Sequence, residues 1–332
     1  MNIAVCRPQV PFARGGAEIF TDELVRQLRI RGHEAEIVSV PFKWYPGQRV
    51  LTQAFLWRLL DLTEADGRKI DLVVSTKFPS YCVRHPNKVV WLVHQFRQAY
   101  ELDRTELGQF SESAEDRATR RRIQRLDQVA LGEARKLFAT SGNVAGRLRA
   151  STGLEAEVLP HPPQELDYRT DAYEPFVFSV GRLDRAKRID LLIQAAAKQG
   201  VDVVVSGEGP DRARLEQLAN GRVTFTGRVS EAELADLYAR CRAVFYAPVD
   251  EDFGMVPFEA FLAAKPVVTT TDAGGPLDVV RDRDTGRVVE PTVDAVAGAL
   301  AIGEDDARRW GEAGKALAER VTWDGAIDRL LS

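Results

Sequence analysis

The sequence predicts an α/β protein made of two doubly wound, Rossmann-like domains in tandem. Three observations predict it. Short apolar runs alternate with segments of helical period from one end to the other, as in parallel sheets covered by helices on both faces. A proline-rich polar stretch interrupts that alternation near the middle. The length, 332 residues, suits two domains at about 100–200 residues each.

Residues 3–6 read as a strand. The segment 18–31 carries Phe20, Leu24, Val25 and Leu28 on one face and stops at Gly32, the pattern of an amphipathic helix with a glycine exit. Residues 35–40, 72–75, 89–93 and 137–140 are further strands, and 52–61 and 123–134 are helices. Leu159-Pro160-His161-Pro162-Pro163 then opens a stretch that ends at Glu174-Pro175. Such a stretch suits neither a helix interior nor a central strand. The interdomain linker therefore falls within 160–175, with 164–175 separating a first domain over 1–163 from a second over 176–318.

Beyond the linker the alternation restarts. Strands are expected at 176–180, 201–206, 223–226, 243–246 and 266–270, and helices at 189–199, 212–220, 231–240 and 257–264. In open sheets of this kind, ligands bind outside the carboxyl ends of the strands where the strand order reverses. Two such domains would make a cleft lined by βα loops from both.

The chain carries 45 basic and 49 acidic residues, a near balance that argues against a dedicated nucleic-acid binder. Its 45% hydrophobic and 28% charged content excludes a disordered, collagenous or coiled-coil chain. Cys6, Cys82 and Cys241 are too few and too scattered for a disulfide framework; they read as small apolar residues in a reducing compartment. His33, His85, His94 and His161 show no metal-ligand spacing. The longest apolar runs fall far below the ~18 residues of a membrane span, and Met1-Asn2-Ile3-Ala4-Val5 begins as a strand, without a basic region before an apolar one. A cytoplasmic protein is expected, at most peripheral to the inner face of a membrane. The charged segment 112–127 reads as a solvated helix face; a basic spot for anionic lipid or a phosphorylated acceptor is the minority reading.

Gly181-Arg182-Leu183-Asp184-Arg185-Ala186-Lys187 follows a strand and opens a helix. Arg182 can fork onto one phosphate while Lys187 acts as a point charge on another; an ordinary basic βα loop is the bland alternative. Asp250-Glu251-Asp252-Phe253-Gly254-Met255-Val256-Pro257-Phe258-Glu259 leaves a strand and enters a helix with Pro257 in its first turn. Gly254 lets backbone approach a ligand closely, and the N–H groups of a helix start favour an anion. Glu259 could equally be a capping acid, and Glu251 a solvated loop carboxylate.

Taken together, these residues resemble the family-four retaining glycosyltransferases of the GT-B fold, also called glycosyl transferases group 1. Glu251 and Glu259 match the family's Glu-x7-Glu pair, and Gly181, Arg182, Leu183 and Lys187 its Gly-Arg-Leu-x3-Lys signature. Gly207-Glu208-Gly209-Pro210, Gly227-Arg228-Val229, Gly274-Gly275-Pro276-Leu277-Asp278 and the glycine loop Gly15-Gly16-Ala17-Glu18 stand in the same order. Trp323 begins a closing helix, within 319–332, of the kind that packs back on the first domain. The resemblance covers nearly the whole chain.

It implies a nucleotide-diphosphate sugar, UDP- or GDP-linked, as donor substrate, with no cofactor or metal required. A hydroxyl of a saccharide or glycolipid would be the acceptor, in the building of a polysaccharide or glycolipid. Arg182 and Lys187 would neutralise the departing diphosphate. Glu259 would accept hydrogen bonds from the ribose, and Glu251 with Phe253, Gly254, Met255 and Val256 would hold the donor sugar and phosphate. Gly207 and Val229 would frame the base. Gly15 and Gly16 would let the acceptor or the donor phosphate approach the first domain, and His94, ending a strand, would contact the transferring sugar. Retention would place the acceptor's proton on the leaving phosphate, so no protein base is assigned.

Three departures stand out: Arg188 where the family usually has glycine, Gln95 where aspartate is common, and Pro160-His161-Pro162 in place of Asn-Gly. Competing readings are a metal site at Asp250-Glu251-Asp252 or Asp282-Arg283-Asp284, a sugar-nucleotide epimerase or phosphorylase, and a non-catalytic sugar-nucleotide-binding protein on the same fold.

Overall fold

The computed structural model describes all of residues 1–332 except 13, 14, 104, 106, 107 and 220. The chain forms two compact units. The first contains residues 1–164 and 323–332, and the second residues 165–322.

The first unit contains β1 (Asn2–Gln9), α1 (Gly16–Ile30), β2 (Glu34–Pro41), α2 (Val50–Leu59), the hairpin β3 (Glu64–Ala65) and β4 (Arg68–Lys69), and β5 (Leu72–Lys77). It continues through β6 (Lys88–His94), α3 (Ala114–Gly132), β7 (Lys136–Ala139), α4 (Gly142–Thr152) and β8 (Glu157–Val158). Its six-stranded sheet has the order β2-β1-β5-β6-β7-β8, every pair parallel. The central strands are buried on both faces, so they read as continuous apolar runs rather than alternating ones. Alternate residues feed different layers: Val74, Val89 and Trp91 pack with Phe20, Leu24 and Leu28 of α1, while Val73, Val90 and Leu92 pack with Trp57, Ile123 and Leu148 of α2, α3 and α4.

The second unit contains β9 (Phe176–Val180), α5 (Ile189–Gln199), β10 (Asp202–Ser206), α6 (Arg212–Leu218), β11 (Val223–Gly227) and α7 (Glu231–Arg240). Then follow β12 (Ala243–Phe245), α8 (Val256–Leu262), β13 (Val267–Thr270), β14 (Gly286–Val289), α9 (Val293–Leu300) and α10 (Glu304–Ala318). Its sheet order is β11-β10-β9-β12-β13-β14, again all parallel. The last helix, α11 (Trp323–Leu331), lies in the first unit. There Trp323 and Ile327 enter the layer of Phe20 and Trp91, and Arg31 of that unit pairs with Asp324.

Two Rossmann-like parallel sheets are thus present, and the fold class is the expected α/β one. The differences have local causes. Helix α3 begins at Ala114 rather than 123 because Ser113 caps it, its side chain accepting from Asp116 N at 3.1 Å; its first turns are charged and carry no apolar period. Helices α4, α9 and α10 and strand β14 were not legible as apolar runs. Helix α6 ends at Leu218, and its expected last residue, Asn220, lies outside the described residues. Residues 165–175 pack on the second unit: Tyr173 enters its core, and Glu174 N donates to Arg240 O at 2.8 Å. All three cysteines are buried free thiols, and no helix among the described residues is long and apolar enough to cross a membrane.

Candidate functional site

In the second sheet the strand order reverses between β9 and β12, so their carboxyl ends mark the switch point where an open sheet holds its ligand. The loop 181–188 leaves β9 there, and Tyr246 with the loop 247–255 leaves β12. Backbone hydrogen bonds tie these loops together. Val249 N donates to Ala186 O at 2.8 Å, and Glu251 N to Ala273 O at 2.8 Å, while Glu251 O accepts from Gly275 N at 2.8 Å. Glu251 is thereby fixed from both sides by the glycine-proline segment that follows β13.

The side chains converge at one point. Lys187 Nζ donates to Glu251 Oε2 in a close ion pair and to the Tyr246 hydroxyl at 3.2 Å, lying 5.2 Å from the centre of the Tyr246 ring. The same hydroxyl donates to Glu251 Oε2 at 3.0 Å. Burial, and secondly the Glu251 carboxylate, push the Tyr246 phenol well above its ordinary range, so it stays a neutral donor. Lys187 and Glu251, expected to serve separate tasks, form one hydrogen-bonded group, and Tyr246, unassigned from the sequence, joins them. Its signal was there: a tyrosine ending a buried strand at a switch point.

Glu259 lies in the first turn of α8 with Pro257 just before it. Its Oε2 accepts from the Tyr238 hydroxyl at 2.7 Å, and burial raises its carboxyl above the ordinary glutamate range against the lowering effect of that bond. Arg182 stands apart from this group. Its guanidinium is 72% exposed and reaches Asp184 of its own loop at 3.8 Å. Gly254 has φ +80°, and a Cβ there would lie 2.9 Å from the Tyr246 ring and 3.1 Å from Pro276. The close approach it provides is therefore to the protein itself. At Gly207, φ is +128° and a Cβ would lie 1.9 Å from Gly181 O, so these two motif glycines are one backbone-on-backbone contact. Val229 is half-exposed just before the Ser230 cap of α7. Phe253 is buried in the layer that also holds Tyr246 and Phe258, while Met255 and Val256 lead into α8.

Arg188 explains its own departure from glycine. It takes the left-handed conformation, φ +50° and ψ 42°, at a cost of about 1–2 kcal/mol for a side-chain-bearing residue. Its guanidinium is anchored on Asp272 Oδ2 at 2.7 Å.

In the first unit the reversal falls between β1 and β5. Gly15 caps α1, but its N–H donates to Glu18 Oε2 at 2.9 Å, and Glu18 in turn pairs with Lys77 at 2.8 Å. The Gly15 N–H thus already has a partner, and Gly16 opens the helix beside it. Lys77, another polar residue ending a buried strand, is a second residue the sequence reading missed; it stands opposite His94 in the β5–β6 register. The His94 ring Nδ1 lies 2.6 Å from Gln95 O. Gln95 is itself buried, bonding Asp127 Oδ2 at 3.4 Å and accepting from Ser151 at 3.1 Å.

Among the described residues no three of His, Cys, Asp and Glu gather as metal ligands. Asp282 spends its carboxylate on Arg287 and on Val288 N, and Glu251 spends its own on Lys187 and Tyr246. A cavity of about 510 Å³ in the first unit, lined by Arg58, Arg84, His85 and Glu133 among others, adjoins the amino end of β6, away from the carboxyl ends.

The two doubly wound parallel sheets are those of the GT-B fold. The model of the glycosyl transferases group 1 family matches residues 167–317, nearly all of the second unit. A GDP-mannose-dependent alpha-mannosyltransferase of Mycobacterium tuberculosis is 40% identical over 113 residues, 34% of this chain and 29% of that protein. A D-inositol 3-phosphate glycosyltransferase of Mycobacterium avium is 34% identical over 175 residues, 48% of this chain and 41% of that protein. The chain thus spans less than half the length of either relative. The fold is shared over nearly the whole chain with a sucrose-phosphate synthase from Thermosynechococcus elongatus (TM-score 0.78, 20% identity, 99% of this chain and 97% of that one). It is likewise shared with WaaG, a glycosyltransferase involved in lipopolysaccharide biosynthesis (TM-score 0.71, 18% identity, 99% and 100%).

Proposed function

We propose that the protein is a retaining glycosyltransferase that moves a sugar from a UDP- or GDP-linked donor to a hydroxyl of a saccharide or glycolipid, without a metal. The observation that carries this reading is the Lys187–Glu251–Tyr246 group at the switch point of a glycosyl transferases group 1 unit. One relative is a GDP-mannose-dependent alpha-mannosyltransferase, and a structural neighbour from Anabaena holds UDP and glucose, which supports either donor class.

In the reaction, the bond between the sugar's anomeric carbon and the β-phosphate oxygen breaks. A bond from that carbon to the acceptor oxygen forms on the same face, and the acceptor's proton passes to the leaving phosphate. Charge grows on the diphosphate as the sugar departs. Lys187 and Arg182 meet that charge, which is stabilisation of the transition state over the ground state. The arriving phosphate competes with Glu251 for Lys187, and Glu251 is released to the sugar hydroxyls, aligned by the backbone of Phe253, Gly254, Met255 and Val256. Glu259 accepts from the ribose, Gly207 and Val229 frame the base, and His94, Gly15 and Gly16 serve the sugar and acceptor from the first unit. A role in the assembly of a cell-surface polysaccharide or glycolipid, in the cytoplasm, completes the reading.

The test is product analysis. The full chain is incubated with UDP- and GDP-sugars and a panel of saccharide and glycolipid acceptors. Proton NMR then reads the anomeric configuration of the product. An α-linked product from an α-linked donor in EDTA supports every part of the proposal. An inverted product removes retention, and transfer only with added Mg²⁺ or Mn²⁺ removes metal independence.

A further inference from the structure

Among the described residues, twelve large apolar side chains are exposed, and six of them, Trp44, Tyr45, Phe55, Leu56, Leu59 and Val129, gather around helix α2. Helix α2 is apolar on both sides. Val50, Ala54 and Trp57 face the core, and the opposite side, at helical spacing, presents Thr52, Phe55, Leu56 and Leu59 to solvent, Leu59 at 81% exposure. A helix that is hydrophobic all round wants a second apolar environment. Its one charged residue, Arg58, is turned aside onto Glu133 at 2.6 Å.

The flanks of this strip are cationic. Arg58–Glu133 fixes α3 along one side of α2, and at helical spacing that side of α3 carries exposed Arg122, Arg125 and Val129. Along the other side runs the segment 43–45, held by Lys43 N donating to Gln53 at 2.6 Å. It bears Lys43 over the Tyr45 ring at 4.6 Å, Trp44 edge-on to Tyr45 at 5.0 Å, and Arg49 nearby. An apolar strip edged by aromatic rings and by cations on both sides is the layout of a surface that lies in the headgroup region of an anionic bilayer. Pairing through the same face in a second copy of this chain would instead set one arginine row against another.

We infer that this face of the first unit docks on an anionic lipid surface, with Phe55, Leu56 and Leu59 entering the acyl boundary while Arg122, Arg125, Arg49 and Lys43 meet lipid phosphates. The inference is independent of the donor site, because its test contains no donor. The full chain is co-sedimented with vesicles of phosphatidylcholine alone and of phosphatidylcholine with one-third phosphatidylglycerol, at low and high salt. Binding to the mixed vesicles, weakened by salt, is expected. The double variant F55S/L59S should lose at least tenfold in partitioning, and R122A/R125A about 30-fold at low salt. All four substituted positions are exposed, so thermal melting of each variant should match the parent. Equal binding to neutral and anionic vesicles, or unchanged binding of F55S/L59S, overturns the proposal. So does a dimer in light scattering that F55S/L59S dissolves while no vesicle binds, since the occupant is then a second copy.

Discussion

Lys187 and Glu251, sixty-four residues apart in sequence, are bonded side chain to side chain, and the Tyr246 hydroxyl reaches both, at 3.2 and 3.0 Å. The pair joins the loop leaving β9 to the loop leaving β12. On the proposed reading, the donor's diphosphate separates them, taking Lys187 and releasing Glu251 to the sugar.

In the proposed reaction Glu251 is released to the sugar, so removing its charge should act on transfer more than on nucleotide binding. Glu251→Gln should lower kcat by at least tenfold while UDP or GDP affinity changes less than threefold. Single-turnover rates set beside nucleotide Kd values check this; equal losses in both would make Glu251 a binding residue only.

Tyr246→Phe removes one hydroxyl and keeps the ring. A net cost of about 0.5–1.5 kcal/mol in unfolding free energy is expected for the lost bonds. Urea denaturation measures that cost, and the transfer rate should fall as the Lys187–Glu251 geometry loosens.

On the proposed reading Glu259 bears on the nucleoside and not on the diphosphate. Glu259→Gln should weaken the nucleoside diphosphate about tenfold, the scale of one hydrogen bond to a charged group, and leave inorganic pyrophosphate unaffected. Competition between the two ligands distinguishes the cases. Tyr238→Phe, which removes the 2.7 Å donor to Glu259, should push the Glu259 carboxyl further upward, so that donor binding at acidic pH weakens more than in the parent.

Two buried groups of the first unit titrate in opposite senses. Burial holds the His161 imidazole, stacked on Phe20 at 4.2 Å, down at about 4, and pushes the Asp127 carboxyl up to about 7 against the bonds it accepts from Tyr100 and Gln95. As pH falls from 6.5 to 5, the unfolded chain protonates at His161 while the folded chain does not, and stability drops. Over the same window the folded chain holds a proton on Asp127 that the unfolded chain lacks, and stability rises. The parent should show little net change from this pair. Relative to it, Asp127→Asn should lose roughly 1–2 kcal/mol on going from pH 6.5 to 5 and His161→Phe should gain a similar amount. Urea titrations at the two pH values would refute this if both variants tracked the parent.

The doubly wound sheets were legible because β5, β6, β9 and β13 are short buried runs set between amphipathic helices. Helix α3 was legible only from Ile123 onward, since its first two turns are polar and owe their start to Ser113. At the site, Lys187, Glu251 and Glu259 could be named through the family resemblance of their motifs, but what they touch could not. The bond from Glu259 to Tyr238, the pairing of Glu18 with Lys77, and the meeting of Gly207 with Gly181 O are contacts between distant stretches of chain, and no local pattern encodes them. Arg188 shows the same limit: the substitution of glycine was visible, while the Asp272 contact that anchors it was not.

Calorimetric titration of the full chain with UDP, GDP and ADP, with and without Mg²⁺, decides whether Lys187 and its partners form a metal-independent diphosphate site, as proposed. UDP or GDP should bind in EDTA as tightly as in Mg²⁺, and Lys187→Ala should weaken it about 10- to 100-fold, the scale of one lost charge-assisted hydrogen bond. Binding that appears only with Mg²⁺, or that Lys187→Ala leaves unchanged, would contradict it.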